Sequence, residues 1–292
     1  MDRSGLVSVG VASAPVPAKF ETVPLRRPKR IRWVSFLVVV ALIACAVVAL
    51  LSMILEAQYH RLIARAIANG SVPVNAGTVE HHRQVMAAVA GPLAFGTGAL
   101  FVLWFYRAYS NLSRLGISPL RYGKGWAIGA WFVPILNLFR PKVIADDIWR
   151  GSDVTLPVES RLPGKQAPLT FAVWWVTFIL SGIASGVGLG LQHAATTLTT
   201  LKTGSAVLLA GYLGRAIAAL FAAMVVYEIT VRQSKRIRAF EKGMLPPVPG
   251  QLPERRAHEL EALRTPGGPP CPACGFENHP MAASCGACHK RF

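Results

Sequence analysis

The sequence predicts an all-α integral membrane protein: four transmembrane helices, a short re-entrant or interfacial segment, and a small cysteine-built unit at the C-terminus. Three observations predict it. Four long runs carry almost no charge, Lys and Arg gather at one set of their ends, and four of the 5 cysteines fall in the last 22 residues. Of the 292 residues, 52% are hydrophobic and only 15% charged, against about 25% charged in a soluble domain. This excludes an ordinary soluble enzyme and disorder of the whole chain. The formal charge of +17 admits a nucleic-acid binder until the charge is located.

Residues 1–32 hold Pro15, Pro17, Pro24 and Pro28 and the cluster RRPKRIR from Arg26 to Arg32. Their composition predicts a disordered basic tail. Beside a membrane this cluster attracts anionic headgroups, at about 1 kcal/mol for each Lys or Arg near the surface. The first span, 33–55, has 23 residues and no charge; about 20 suffice to cross the hydrocarbon core. Cys45 ends a Leu-Ile-Ala-Cys box of the lipoprotein kind. The apolar run continues well past it, and the leader is too long for a signal peptide. The expectation is an uncleaved anchor. The other spans are 85–106, 170–192 and 204–229. Residues 125–139 are apolar but short. Such a helix rises about 22 Å, and the core is about 30 Å thick. Pro134 interrupts the segment and Pro141 bounds it.

Charge sets the topology. Seven Lys/Arg precede the first span, nine lie from Arg107 to Ala167, and ten follow Thr230. With four crossings these 26 of 31 fall on one side, as the positive-inside rule requires. A fifth crossing at 125–139 breaks that pattern. The expected location is the plasma (inner) membrane, multi-pass, with both termini cytoplasmic. Topology then accounts for the basic excess, and nucleic acid is not an expected partner. His60, His81 and His82 share the external loop with Glu56 and Glu80 and match no metal-site spacing. They read as solvated.

Gly182, Gly186 and Gly190 repeat every four residues on the third span, as do Ala210, Gly214 and Ala218 on the fourth. Small residues on one face let helices approach closely in lipid. The sequence therefore expects these two spans to pair as a hairpin through those faces. Arg215 lies midway along the fourth span. A charge there faces protein or water, and Asn137 is the expected candidate partner. Structural pairing is favoured over transport, because one charge makes no pathway.

From Trp104 the chain reads WFYRAYSNLSRLG, then GKGWAIGAWFVPILNLFRPKVIADDIWRGS. Trp104, Arg107, Asn111, Trp126, Trp131, Pro134, Asn137, Pro141 and Trp149 carry a resemblance to a bacterial membrane family, domain of unknown function 4328. The resemblance covers roughly residues 35–240. It implies a multi-span membrane protein and brings no reaction. Read from the residues, Trp126, Trp131 and Trp149 suit the membrane–water interface. Asn137 is placed to bond backbone groups freed by Pro134. Lys142, Asp146 and Arg150 are spaced to pair along a solvated helix, which also takes Asp147.

Residues 243–270 read as a flexible linker. Residues 271–292 follow, with Cys271 and Cys274 as one C-x-x-C pair and Cys285 and Cys288 as another, ten residues on. Four thiolates make a closed tetrahedral set, which is structural Zn2+ chemistry. Two disulfides are the competing reading, disfavoured by a reducing cytoplasm. The tail resembles a small bacterial zinc ribbon. It is also similar to the zinc finger of the Ran-binding-protein type, but lacks the Trp expected before the first Cys. The chain shows no glycine-rich phosphate loop, H-E-x-x-H or G-x-S-x-G. The functional expectation is a non-enzymatic scaffold or sensor that recruits a cytoplasmic protein partner through the ribbon. The alternative is a small transporter or channel subunit using residues 125–139 and Arg215.

Overall fold

The computed structural model describes residues 28–157 and 161–245. The zinc ribbon, almost all of the 243–270 linker and most of the N-terminal tail lie outside the described residues. The described residues form α1 (Arg32–Asn69), α2 (Ala76–Arg114), α3 (Trp126–Gly129), α4 (Pro134–Asn137), α5 (Arg140–Gly151), α6 (Leu169–His193) and α7 (Leu198–Glu241). Among them α1, α2, α6 and α7 are long and apolar enough to cross a membrane. This fits a multi-pass membrane protein. Each predicted span lies inside one of these helices, but the helices run on past the apolar stretch. The 38 residues of α1 and 44 of α7 reach about 57 and 66 Å, roughly twice a hydrocarbon core. Charged flanks rich in Glu, Arg, Lys and Ala favour helix too.

Short connections make α1 with α2, and α6 with α7, antiparallel pairs. α7 packs on both α6 and α1, and α1 packs on α2. Phe101 on α2 meets Trp174 on α6 with ring centroids 5.9 Å apart, which closes the bundle. α1 stops at Gly70, whose φ of 65° is left-handed, a conformation glycine takes at little cost. Thr197 starts α7: its hydroxyl accepts from the Thr200 N–H at 3.1 Å, an N-cap.

The α6–α7 hairpin forms, but on other small residues than expected. A Cβ on Gly182, Gly186 or Gly190 meets nothing within 4 Å. These glycines, and Ala210, lie on open faces. The contact stripe on α6 is Ser181, Ser185 and Gly188. A Cβ on Gly188 falls 2.9 Å from Leu208 N and 3.0 Å from Gly204 O, and one on Gly214 falls 3.1 Å from Ser181 Cβ. Gly214 and Ala218 therefore face neighbours as expected. Gly186 and Gly188 are two residues apart, about 200° around the helix. Spacing supplied the period and misplaced the face.

At the end of the bundle away from the basic tails, Glu56 and Glu80 are helical, not loop residues. Arg83 on α2 donates from Nε to Glu56 Oε2 at 3.0 Å, from Nη1 to Glu80 Oε2 at 2.7 Å and from Nη2 to Gln192 Oε1 at 3.0 Å. Gln192 Nε2 returns a bond to Glu56 Oε1 at 2.8 Å. The Arg83 guanidinium lies 3.8 Å over the Tyr59 ring. Glu56 is buried, and this clamp joins α1, α2 and α6. Beyond it the α1–α2 hairpin projects about 20 Å further.

Residues 125–139 do not cross the bundle. They form two one-turn helices, α3 and α4, and return to α5 at the end where they began. Pro134 opens α4 at a position where it needs no N–H. The segment wedges in through Trp131, whose ring sits edge-on to Phe101, Phe105, Trp175 and Phe178 at 5.6–6.1 Å. Trp175 Nε1 donates to the Leu138 carbonyl at 2.8 Å. Phe132 and Ile135 point outward and are exposed.

Candidate functional site

The last three turns of α7 extend beyond the apolar span at the basic end. Ser35 on α1 marks the level: its hydroxyl accepts from Thr230 at 2.7 Å. Past that point α7 carries Arg232 and Gln233, and Arg236 four and three residues after them, on one face. That face meets the C-terminal end of α2 and the C-terminal end of α5. Gln233, Arg236, Asn111 and Asp147 are fully buried there.

Arg236 is the centre. Its Nη2 donates to the Leu115 carbonyl just after α2, at 2.9 Å, and to Pro157 O at 3.4 Å. Its Nη1 donates to the carbonyls of Asp153 and of Leu156, the latter at 2.8 Å. One guanidinium therefore ties the ends of α2 and α5 to α7. A planar fork of donors suits this, whereas an ammonium supplies only one point. Gln233 adds bonds from Nε2 to Ala108 O at 3.0 Å and to Ser152 Oγ at 3.3 Å. Arg232 pairs with Asp153 at 2.5 Å and stacks 4.2 Å over the Trp149 ring.

Asn111 holds the segment before α1. Its Nδ2 donates to Lys29 O at 2.7 Å and to Gln233 Oε1 at 3.2 Å, and its Oδ1 accepts from the Lys29 N–H at 2.9 Å. Both backbone groups of Lys29 are thus satisfied by one buried amide. A bare backbone is costly to bury, so this pairing fixes where the chain enters α1.

α5 departs from the solvated helix expected. Lys142 and Asp146 pair at 2.5 Å as their spacing predicts, but Asp146 is buried. Arg150 turns instead to Lys165 O at 2.6 Å and lies 3.6 Å from Asp147. Arg121 approaches Asp147 at 3.3 Å. Burial pushes the Asp147 carboxyl from the ordinary 3.8 up to about 6, against the pull of Arg121 and Arg150. Burial acts on Asp153 as well, but bonds from the Thr155 N–H and hydroxyl, with Arg232 and Lys165, outweigh it and hold that carboxyl below its ordinary value.

The other expected residues divide. Trp104 is fully buried among aromatic rings. Trp149 is buried against Phe171, and Pro141 is buried near the start of α5. Trp126 is half-exposed with the Arg140 guanidinium 4.1 Å over it. Arg107 is half-buried. Asn137 does not bond the backbone freed by Pro134, and its Oδ1 is buried without a partner. Nor does it reach Arg215. Arg215 donates to Ser185 Oγ at 2.8 Å and lies 5.7 Å from the Tyr212 ring. Ser185 stands ten residues along α6 from Trp175, which holds residue 138, a separation of about 15 Å. The two features do not form one site. Sequence reasoning missed Gln233 and Arg236, and it read Asp147 as part of a solvated face although that carboxyl is buried. Only the three-to-four-residue spacing from Arg232 to Arg236 was available to find the first two. Among the described residues no group of three or more His, Cys, Asp or Glu could hold a metal ion.

A family model described as Domain of unknown function (DUF4328) matches residues 72–231. The chain belongs to this family. The DUF4328 region begins just before α2 and ends at Val231, one residue short of Arg232. It is narrower than the resemblance from roughly 35 to 240, and it leaves out α1. Asn111 and Asp153 lie inside it; the α7 residues that meet them, Gln233 and Arg232, lie immediately beyond. No curated protein and no solved structure matches the chain.

Proposed function

We propose that the chain is a non-enzymatic scaffold or sensor of a bacterial plasma membrane, with both termini in the cytoplasm. Its C-terminal zinc ribbon recruits a protein partner there. The observation that carries this reading is the locking of the end of α7. Arg236, Gln233 and Arg232 bind that end to α2 and α5 through backbone carbonyls and a carboxylate. Donors aimed at backbone hold elements in place; they leave no reactive group facing a substrate. In the chain, the helix so braced is followed by the 243–270 linker and then by the segment that carries the cysteines. The donor set fits Zn2+, since two Cys-x-x-Cys turns supply four soft thiolates and leave no open position for a reaction. A ribbon this small folds only with its metal, so metal supply would gate recruitment.

Cross-linking and affinity purification from membranes test this. The full chain is compared with a variant carrying Cys271→Ser, Cys274→Ser, Cys285→Ser and Cys288→Ser. The proposal expects a cytoplasmic protein to co-purify with the first and be lost from the second at equal membrane abundance. An unchanged set of co-purifying proteins overturns it.

A further inference from the structure

A groove of about 200 Å³ lies between the start of α1 and the last turns of α7, lined by Arg30, Ile31, Arg32, Ser234, Ile237, Arg238 and Glu241. Three arginines line it, Arg30 and Arg32 from the start of α1 and the residues before it, and Arg238 from α7. Among the described residues, none of the three takes part in an ion pair. Arg238 donates only to the Ser234 carbonyl of its own helix, at 3.3 Å, and Glu241 lies in no salt bridge with any of them. The groove therefore holds three cations against one carboxylate, with a hydroxyl at Ser234.

Its position selects the ligand. Ile31 forms the buried floor. Immediately along α1 come Trp33, Phe36, Leu37 and Val40, all exposed apolar side chains. A headgroup seated among the arginines would thus have its acyl chains beside that surface. Arginine forks match phosphate oxygens bidentately. We propose that this groove is a binding site for the phosphate of an anionic phospholipid headgroup. It pins the start of α1 and the end of α7 to the bilayer surface. The inference rests on the membrane assignment of α1. Failure of that assignment shows as failure to enter nanodiscs; failure of the site shows only in protein that has entered.

The test uses the full chain in nanodiscs containing phosphatidylglycerol or phosphatidylcholine, with bound lipid counted by native mass spectrometry. The triple variant Arg30→Gln, Arg32→Gln and Arg238→Gln is compared with a control of equal charge loss: Lys124→Gln, Lys235→Gln and Lys242→Gln. The expected result is retained phosphatidylglycerol that is lost about tenfold or more in the groove variant and within twofold in the control. Equal loss in both variants, or equal retention of phosphatidylcholine, overturns the site. Displacement of the lipid by millimolar inorganic phosphate, with equal occupancy by phosphate alone, overturns the lipid assignment.

Discussion

Replacing Arg236 by Met removes a guanidinium that is fully buried and bonds carbonyls of Leu115, Asp153, Leu156 and Pro157. A hydrogen bond to a charged group contributes about 1.5–3 kcal/mol, and such terms do not add fully because they share one side chain. Leu156 and Pro157 are only half-buried, so water can replace part of what they lose. The Leu115 carbonyl is sealed in. The expected destabilisation is about 1–3 kcal/mol, the cost of leaving the buried Leu115 carbonyl without its donor, since removing the guanidinium leaves neutral carbonyls and no unpaired charge. Arg236→Lys should fall between, because three donors on a single nitrogen cannot span carbonyls on both sides of the fork. The reference is Lys235→Met, one residue before, which removes an exposed basic side chain outside the groove. Equilibrium unfolding of the full chain in mixed micelles measures all three. Equal stability of the Arg236→Met and Lys235→Met variants would refute Arg236 as a structural lock.

The remaining predictions address other contacts. Gly188→Ala places a methyl 2.7 Å from Leu208 Cγ and 2.9 Å from Leu208 N, so unfolding free energy should fall by about 1–3 kcal/mol; Gly186→Ala, with open space around it, should leave it unchanged or slightly raised. Asn111→Leu should expose the Lys29 amide, raising its hydrogen-exchange rate while the α6–α7 hairpin stays protected. Asp147 gives a pH signature. Its folded pKa of about 6 lies above the ordinary 3.8, so its contribution to stability is complete below about pH 4 and is lost as pH rises through 6. Against Asp147→Asn, the wild type should lose up to about 3 kcal/mol between pH 4 and 7; parallel pH profiles would contradict the buried carboxylate.

The spans were legible because an uncharged apolar run of about twenty residues matches the thickness of a hydrocarbon core. The helix ends were not, because charged flanks such as 56–69 and 230–241 continue the helix without an apolar signature. Glu56 reads as a loop residue and Gln192 as the end of a span, and the clamp they form with Arg83 joins residues 27 and 109 positions apart. No spacing rule reaches that far. Arg232 and Arg236 count there as topology charges, and composition alone cannot separate a buried arginine from a solvated one. Asn111 stands out through the family motif, but its role needed the approach of Lys29 from 82 residues away. The glycine stripe shows the same limit on a smaller scale: a period is local, whereas the face that packs depends on the partner.

The basic end holds α2, α5 and α7 together, and on the proposed reading it faces the cytoplasm. The decisive measurement is protease access to an epitope fused after Phe292, in intact spheroplasts and in inverted vesicles. Protection in spheroplasts and cleavage in inverted vesicles is the expected result. Cleavage in intact spheroplasts would place the braced end and its cysteines outside, and would contradict that orientation.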